Sequence, residues 1–332
     1  MIAMGESDYY IGVDVGGTKI LATVVTPEGE IATSSKHSTL HDGTPLADQI
    51  SDAIDELCDD VSRSGARGIG VAVPGIVESA TGRFVNAPNI DIDDSQVVQQ
   101  IQDRYDLPVA IGNDVNLGTF AECWLGVARD ADTVIGMFVG TGIGGGVVID
   151  GRLRTGPEDL AGEIGHMIME VDGPLCGCGN YGCLEALASK TAIHRDIQEA
   201  LDEGRSTVVE LPENRVIKSG RIEDAIDAGD EVVTEILITA CRYIGLAVVS
   251  LRHILNPDMV VFGGGLVESC EDFMLPLIEK EVAADCHTGS ADTLTLAVSK
   301  LGDDAVALGA AALVRAQISG LSLREWADRL DQ

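Results

Sequence analysis

The sequence predicts an α/β protein built from two related halves. Three observations carry that expectation. A strand, a glycine turn, a second strand and a further turn occur near residue 10 and again near residue 135, a coarse internal duplication. Between and after these copies, short β-rich runs alternate with runs of helical spacing. The chain has 332 residues, which at roughly 100–200 residues per domain is two domains or one large one. Hydrophobic content is 45% and aromatic content only 4%, so Val, Ile, Leu and Ala must fill the core.

The elements follow in order. Tyr9 to Val13 reads as a strand ending in a glycine turn, Leu21 to Thr26 as a second and Glu30 to Ser35 as a third, with Pro27-Glu28-Gly29 as a turn. Pro45 to Ser64 places Leu46, Ile50, Ile54, Leu57 and Val61 at helical spacing. Gly68 to Val73 is a buried strand closed by Pro74-Gly75, and Val109 to Gly112 is a short one ending at Asn113-Asp114. The second copy runs as strand Thr133 to Val139, glycine loop Gly140 to Gly146 and strand Val147 to Asp150. Past residue 190 the chain turns helical. Glu231 to Leu255 is a long helix, Met259 to Phe262 a strand before Gly263-Gly264-Gly265, and Asp303 to Gln317 a helix of small residues. The polar stretch Asp202 to Arg221 reads as a solvated excursion between helices. Two halves of this kind facing each other would bring two glycine loops to one cleft.

Charge narrows the function classes. The net charge is −32, from 54 acidic and 22 basic residues. That opposes nucleic-acid phosphates and anionic membrane surfaces, which need a basic patch. Two readings of the acidity stand: an ordinary acidic protein, or one from a salt-rich cytoplasm where ions screen self-repulsion. Scarce lysine and acids spread along the whole chain favour the halophilic one. No apolar run is read as approaching the ~20 residues that span a bilayer. Met1 to Asp8 is short and acidic and does not read as a signal peptide. The expectation is a cytoplasmic protein with reduced thiols, binding neither nucleic acid nor membrane.

Asp14-Val15-Gly16-Gly17-Thr18-Lys19 follows a strand directly. Glycines there let backbone N–H groups reach phosphate oxygens, Thr18 and Lys19 add a hydroxyl and a cation, and Asp14 can hold Mg²⁺ directly or through water. The alternative is a plain hairpin turn. Gly140-Thr141-Gly142-Ile143-Gly144-Gly145-Gly146 has five glycines in seven residues, more than a hairpin needs. It is neither a Walker loop nor a dinucleotide fingerprint, since a strand follows it. The pair of loops favours phosphate binding. Gly263-Gly264-Gly265 is read either as a flat surface for a nucleotide base or ribose, or as a strand-to-helix turn.

The most informative segment begins at Glu163-Ile164-Gly165-His166 and continues at Cys176-Gly177-Cys178-Gly179-Asn180-Tyr181-Gly182-Cys183-Leu184-Glu185. Three thiolates and one imidazole make a closed tetrahedral zinc site, and the glycines let the chain fold round an ion. The competing reading is disulfides, which tight C-x-C spacing and a reducing cytoplasm oppose. A full Cys₃His shell leaves no position for a reactive water, so the zinc is expected to be structural. Its task would be to pin Glu163, His166 and Glu185, whose carboxylates suit sugar hydroxyls. Cys58, Cys123, Cys241, Cys270 and Cys286 stand isolated and read as packing residues. Asp114 also carries two readings. It is a helix N-cap before Val115 to Leu125, or a base for an attacking hydroxyl.

Taken together these motifs resemble the ROK family of repressors, open-reading-frame products and sugar kinases. The likeness runs from Asp14 to about Gly309. Asp14 to Lys19 is similar to the family's first phosphate loop and Gly140 to Gly146 to its second; the Glu163–Glu185 segment matches the family's zinc-and-sugar signature without a missing ligand. The resemblance implies the actin-like ATPase (ribonuclease H-like) fold, two α/β lobes round an interlobe cleft. The lobes are expected as residues 1–112 with about 303–332, and residues 113–302 carrying the zinc site. It implies an ATP-dependent kinase acting on the 6-hydroxyl of a hexose, glucose above all, with Asp114 as catalytic base. Gly75, Asn89, Asn113, Asp114, Glu163, His166 and Glu185 are then the sugar-binding set. Asp14, Gly16, Gly17, Thr18, Lys19, Gly140, Thr141, Gly142, Gly144, Gly264 and Gly265 are the ATP-binding set. His166, Cys176, Cys178 and Cys183 hold structural Zn²⁺, Mg²⁺ accompanies ATP, and the family likeness suggests a homodimer or homotetramer. The alternatives are a kinase for N-acetylmannosamine, mannose or fructose, and a non-catalytic sugar-responsive repressor. Only 13 residues precede Asp14, fewer than a helix-turn-helix domain needs.

Overall fold

The structure is a computed structural model that describes residues 8–57, 63–79, 81–86, 96–213, 216–287 and 293–330. In chain order the strands and helices begin with β1 (Tyr9–Val15), β2 (Lys19–Val25), β3 (Ile31–Ser38), α1 (Leu46–Leu57), β4 (Ala66–Val73), β5 (Ile76–Glu78) and β6 (Arg83–Asn86). They continue with α2 (Val97–Tyr105), β7 (Val109–Asn113), α3 (Asp114–Trp124), β8 (Thr133–Val139), β9 (Ile143–Ile149), β10 (Arg152–Leu153), α4 (Leu184–Ala188), α5 (Lys190–Asp202) and α6 (Ser219–Asp227). The rest are α7 (Glu231–Leu255), β11 (Met259–Gly263), α8 (Gly265–Ser269), α9 (Glu271–Ala283), β12 (Thr295–Val298), α10 (Ala305–Ser319) and α11 (Leu323–Leu330).

Two five-stranded sheets repeat one topology. The first has the order β3-β2-β1-β4-β7 and the second β10-β9-β8-β11-β12. In the first, β2 is antiparallel to β1 and β3, while β1–β4 and β4–β7 are parallel. In the second, β9–β10 is antiparallel while β8–β11 and β11–β12 are parallel. The duplication read from the sequence is therefore a repeated sheet, not just a repeated hairpin.

The chain forms two compact units. The first is Met1–Asp132, Gly146–Ala161 and Lys300–Gln332; the second is Thr133–Gly145 and Gly162–Ser299. Residues 113–132 and 146–161 thus belong with the first unit, whereas the sequence reading placed them in the second lobe. α3 packs on α10, which itself lies on β1, β4 and β7. A paired glycine patch explains how α10 reaches the sheet. Gly12 and Gly70 are register partners on β1 and β4. A Cβ on either would overlap an α10 carbonyl, Ala307 for one and Ala310 for the other. The small residues of α10 match that flat surface, and Ala307, Ala310, Ala311 and Ala312 are buried. Nearby, the fully buried Arg315 lies between the rings of Trp124 and Trp326, 4.1 and 4.8 Å from their centroids.

The second unit packs its helices on β8, β11 and β12. Its core joins Ile135, Met137 and Val139 of β8 to Leu237, Cys241, Ile244 and Val248 of α7. α7 corrects one expectation. It runs 25 residues, with a mean hydropathy of 1.8 over its most apolar 18, long and apolar enough to cross a bilayer by length and composition. Glu235 and Arg242 interrupt the run to the eye without lowering its mean enough. Half of that stretch is buried inside the protein, where α7 packs on α4, α5 and α9, so it is a core helix.

Other boundaries moved slightly. α1 ends at Leu57, and Cys58 lies outside the described residues. β9 begins at Ile143, so Gly144, Gly145 and Gly146 are strand residues and the second loop is only residues 140–142. Those glycines serve close packing. A Cβ on Gly145 would overlap the Gly162 carbonyl, and one on Gly146 the Thr119 side chain.

Candidate active site

In the first unit, β1 ends at Asp14 and β2 begins at Lys19, so Gly16-Gly17-Thr18 is the tip of a tight turn. Gly16 N–H donates to the Lys19 carbonyl at 2.8 Å and closes it. The segment after β3 holds the turn from outside. Thr39 Oγ1 donates to the Gly16 carbonyl at 2.7 Å, Thr39 N–H to the Thr18 carbonyl at 3.1 Å, and His41 Nε2 lies 2.9 Å from the Gly17 carbonyl. Lys19 Nζ is 3.3 Å from Asp303 Oδ2. With its carbonyls held, the turn is shaped to offer donors to an anion.

The β7–α3 junction removes the capping reading of Asp114. The cap is Asn113, whose Oδ1 accepts the Asn116 N–H at 3.0 Å. Asn113 Nδ2 donates to the Gly75 carbonyl at 3.1 Å, which brings two expected sugar contacts together. Asp114 is the first helical residue, and its Oδ1 accepts the Val115 N–H at 2.9 Å. Asp14 and Asp114 are electrostatic neighbours. Burial, and next the Asp114 carboxylate, push the Asp14 carboxyl up to about 6, against the opposing pull of Lys19. Two carboxylates that raise one another's cost of ionisation suit a divalent cation, which relieves both. Asn89 lies outside the described residues.

In the second unit, the helix α5 grips the other glycine turn. Ser189 caps α5 by accepting the Ala192 N–H. Lys190 N–H donates to the Gly140 carbonyl at 2.9 Å, and Thr191 Oγ1 to the Thr141 carbonyl at 2.7 Å. Glu185 Oε2 accepts the Ile143 N–H at 3.0 Å, and a Cβ on Gly142 would overlap that oxygen. Gly264, at φ +83°, packs against the Val139 carbonyl at the end of β8, so the glycine after β11 meets the start of the second turn; Gly265 follows as the first residue of α8.

The four expected metal ligands converge. One donor atom each from His166, Cys176, Cys178 and Cys183 lie within 4.8 Å of one another. The Cys178–Cys183 sulfur separation is 3.8 Å, and Cys176 Sγ is 3.7 Å from His166 Nδ1. A tetrahedron with metal–sulfur bonds of about 2.3 Å has sulfur–sulfur edges of about 3.8 Å, so the set fits a closed tetrahedral site. The other His166 nitrogen, Nε2, lies 3.9 Å from Glu163 Oε2. Burial raises the Glu163 carboxyl above the usual range; the Glu185 carboxylate raises it further and His166 opposes. Glu185 joins two features, since its Oε1 is 3.5 Å from Cys176 Sγ while its Oε2 holds the second turn.

Sequence reasoning missed Thr39, His41, Asp303 and Ser189–Thr191. The signal for the last was a Ser ahead of a helical run, a capping pattern whose partner in space no spacing reveals. It also missed Glu122, a fully buried carboxylate accepting the N–H groups of Val127, Lys300 and Leu301. That clamp fixes the turn leading to Asp303.

Comparison with known proteins agrees with this arrangement. The chain is 33% identical to a glucokinase of Halalkalibacterium halodurans over 93% of its own length and 96% of that protein. It is also 33% identical to a xylose repressor of Caldicellulosiruptor bescii, over 79% of this chain and 65% of that one. Its structure is similar to a ROK family glucokinase from Streptomyces griseus in complex with glucose and AMPPNP: TM-score 0.72, 31% identity, covering 92% of this chain and 99% of that one. The fold is the actin-like ATPase fold expected from the sequence. The ROK family model matches residues 10–317, and this chain belongs to the ROK family.

Proposed function

We propose that this chain transfers the γ-phosphoryl group of ATP to the 6-hydroxyl of a hexose, with glucose the first candidate. The observation that carries the reading is the β7–α3 junction. Asn113 performs the capping, so Asp114 stands on the first turn beside Asp14 with the N-cap role already filled.

In this mechanism Asn113, Glu163, His166 and Glu185 bind the sugar hydroxyls, with the backbone at Gly75 holding Asn113 in place. The glycine turns and Gly264 receive the nucleotide. Asp114 takes the proton of the sugar hydroxyl as that oxygen attacks the γ-phosphorus. The new O–P bond forms as the bond to the β,γ-bridging oxygen breaks, and ADP leaves. Asp14 would hold Mg²⁺, which would supply charge neutralisation at the phosphates. Most of the rate comes from alignment and charge stabilisation.

His166, Cys176, Cys178 and Cys183 are read as holding structural Zn²⁺. The His166 ring supports this: Nδ1 faces the sulfurs while Nε2 is directed at Glu163, so one ring both closes the cage and presents the sugar side. The reading places the chain in a reducing cytoplasm, where thiolates stay available to a metal. A salt-rich one suits the charge of −32. Ile168, Val171, Leu175 and Tyr181 are exposed on the segment that carries the cage and support a homodimer or homotetramer. The likeness to a xylose repressor keeps a sugar-responsive regulator as second reading, which the acidity opposes.

The test is ADP release by the purified chain with Mg²⁺-ATP and glucose, mannose, fructose or N-acetylmannosamine, with polyphosphate as an alternative donor. Sugar-dependent release is expected, greatest with glucose. Asp114→Asn is expected to bind glucose normally and lose about a thousandfold or more in kcat. Turnover within about tenfold of wild type, ~1.4 kcal/mol, would remove Asp114 as base.

A further inference from the structure

The chain has six lysines, at positions 19, 36, 190, 218, 280 and 300. Four are exposed; the two that are not, Lys19 and Lys190, each stand at one of the two glycine turns. Lys19 closes the first turn and its ammonium is paired with Asp303. Lys190 is the first residue of α5, and its N–H holds the Gly140 carbonyl. Lys19 opens the strand that follows its turn, whereas Lys190 opens a helix and is held at the other turn through its backbone N–H.

Lys190 differs in one respect. In a chain with 54 acidic residues, its half-buried ammonium has no carboxylate partner among the described residues. Burial alone lowers the Lys190 ammonium below its ordinary range, with no acid to oppose it. A cation that loses solvent without gaining an acid is costly unless an anion visits it. The N–H groups of the first turn of α5 are already committed to Gly140, Thr141 and Ser189 Oγ. What remains there to meet an anion is the ammonium. The turn is open at Gly140, where an added Cβ would meet nothing within 4 Å.

We propose that Lys190 binds the phosphate chain of the nucleotide at the second glycine turn, beside the turn's backbone donors. The inference rests on the kinase reading above. It assigns Lys190 a direct contact with a phosphate oxygen, a charge-assisted hydrogen bond of the kind that strengthens where water is excluded.

The experiment measures binding of Mg²⁺-ATP and of adenosine to wild type, Lys190→Met and Lys190→Arg by calorimetry in the full chain. Methionine keeps the stem and leaves the backbone bond to Gly140. Lys190→Met is expected to lose at least about fivefold, and near tenfold, in ATP affinity while adenosine affinity stays within about twofold. Lys190→Arg is expected to regain part of the loss, and the salt dependence of ATP binding is expected to flatten in Lys190→Met. Wild type that binds ATP, with Lys190→Met losing less than fivefold, overturns the inference and leaves the kinase reading intact. Equal losses for ATP and adenosine also overturn it, because the lysine would then be structural. Wild type that binds no ATP removes the kinase reading and this inference with it.

Discussion

The two glycine turns hold the same place in two copies of one sheet, yet they are secured by different kinds of structure. The first is held by side chains of a short segment after β3, Thr39 and His41, and is flanked by charge: Asp14, Lys19 and Asp303. The second is held by the first turn of α5 and by Glu185, a residue that also touches the cysteine cage. Repetition preserved the strand–turn–strand frame, while each copy acquired its own fastening. The first turn should therefore respond to pH, and the second to steric fit and to the state of the cysteine cage.

Among tests of this contrast between the turns, the largest expected effect is steric. In Gly142→Ala the new Cβ meets Glu185 Oε2, so either the loop or the Ile143–Glu185 bond must give. A fall of about a hundredfold in kcat/KM for ATP is expected, ~2.7 kcal/mol. In Gly16→Ala the Cβ would lie 3.2 Å from the Lys19 carbonyl, a contact that small shifts relieve. That variant should stay within about tenfold of wild type. Equal losses in the two variants would erase the contrast between the turns.

Next comes the charge test at the first turn. Burial holds the Asp14 carboxyl up at about 6 in the folded chain, above its ordinary 3.8. Its folded value is raised, so its ionisation costs stability. The cost is full above pH 6, fades as pH falls from 6 toward 4, and is absent below. Asp14→Asn is expected to be more stable than wild type at pH 7.5, on the order of 2 kcal/mol, while losing activity. Denaturant midpoints at pH 7.5 and 4.5 check this; an advantage that does not shrink at pH 4.5 would contradict the titration.

The smallest effect acts at a distance. Cys178→Ser is expected to abolish stoichiometric zinc in the purified protein. Through Glu185 it should raise KM for ATP by about fivefold, ~1 kcal/mol. Wild type without zinc, or a Cys178→Ser variant with unchanged KM, would sever the cage from the second turn.

Much of this was legible in the sequence because it is local or periodic. The strand–glycine–strand copies, the helix Glu231–Leu255 and the ligand spacing of the cage are patterns within short windows. The start of β9 was misplaced because glycines at 144–146 look like loop, whereas their use is to let Thr119 and residues 162–165 approach. Asn113 and Asp114 are both residue types that cap helices, and only the backbone geometry assigns the cap to Asn113. Asp303, Glu122 and Lys190 act on residues 50 to 284 positions away, and no spacing rule links such pairs.

The stacking of Arg315 has a spectroscopic consequence. Trp124 and Trp326, which flank it, are the only two tryptophans in the chain, and both lie in the first unit. Indole emission therefore reports the melting of that unit and the docking of α11, and is silent about the unit that carries the cysteine cage. Any intrinsic-fluorescence titration with nucleotide or sugar reads the first unit alone.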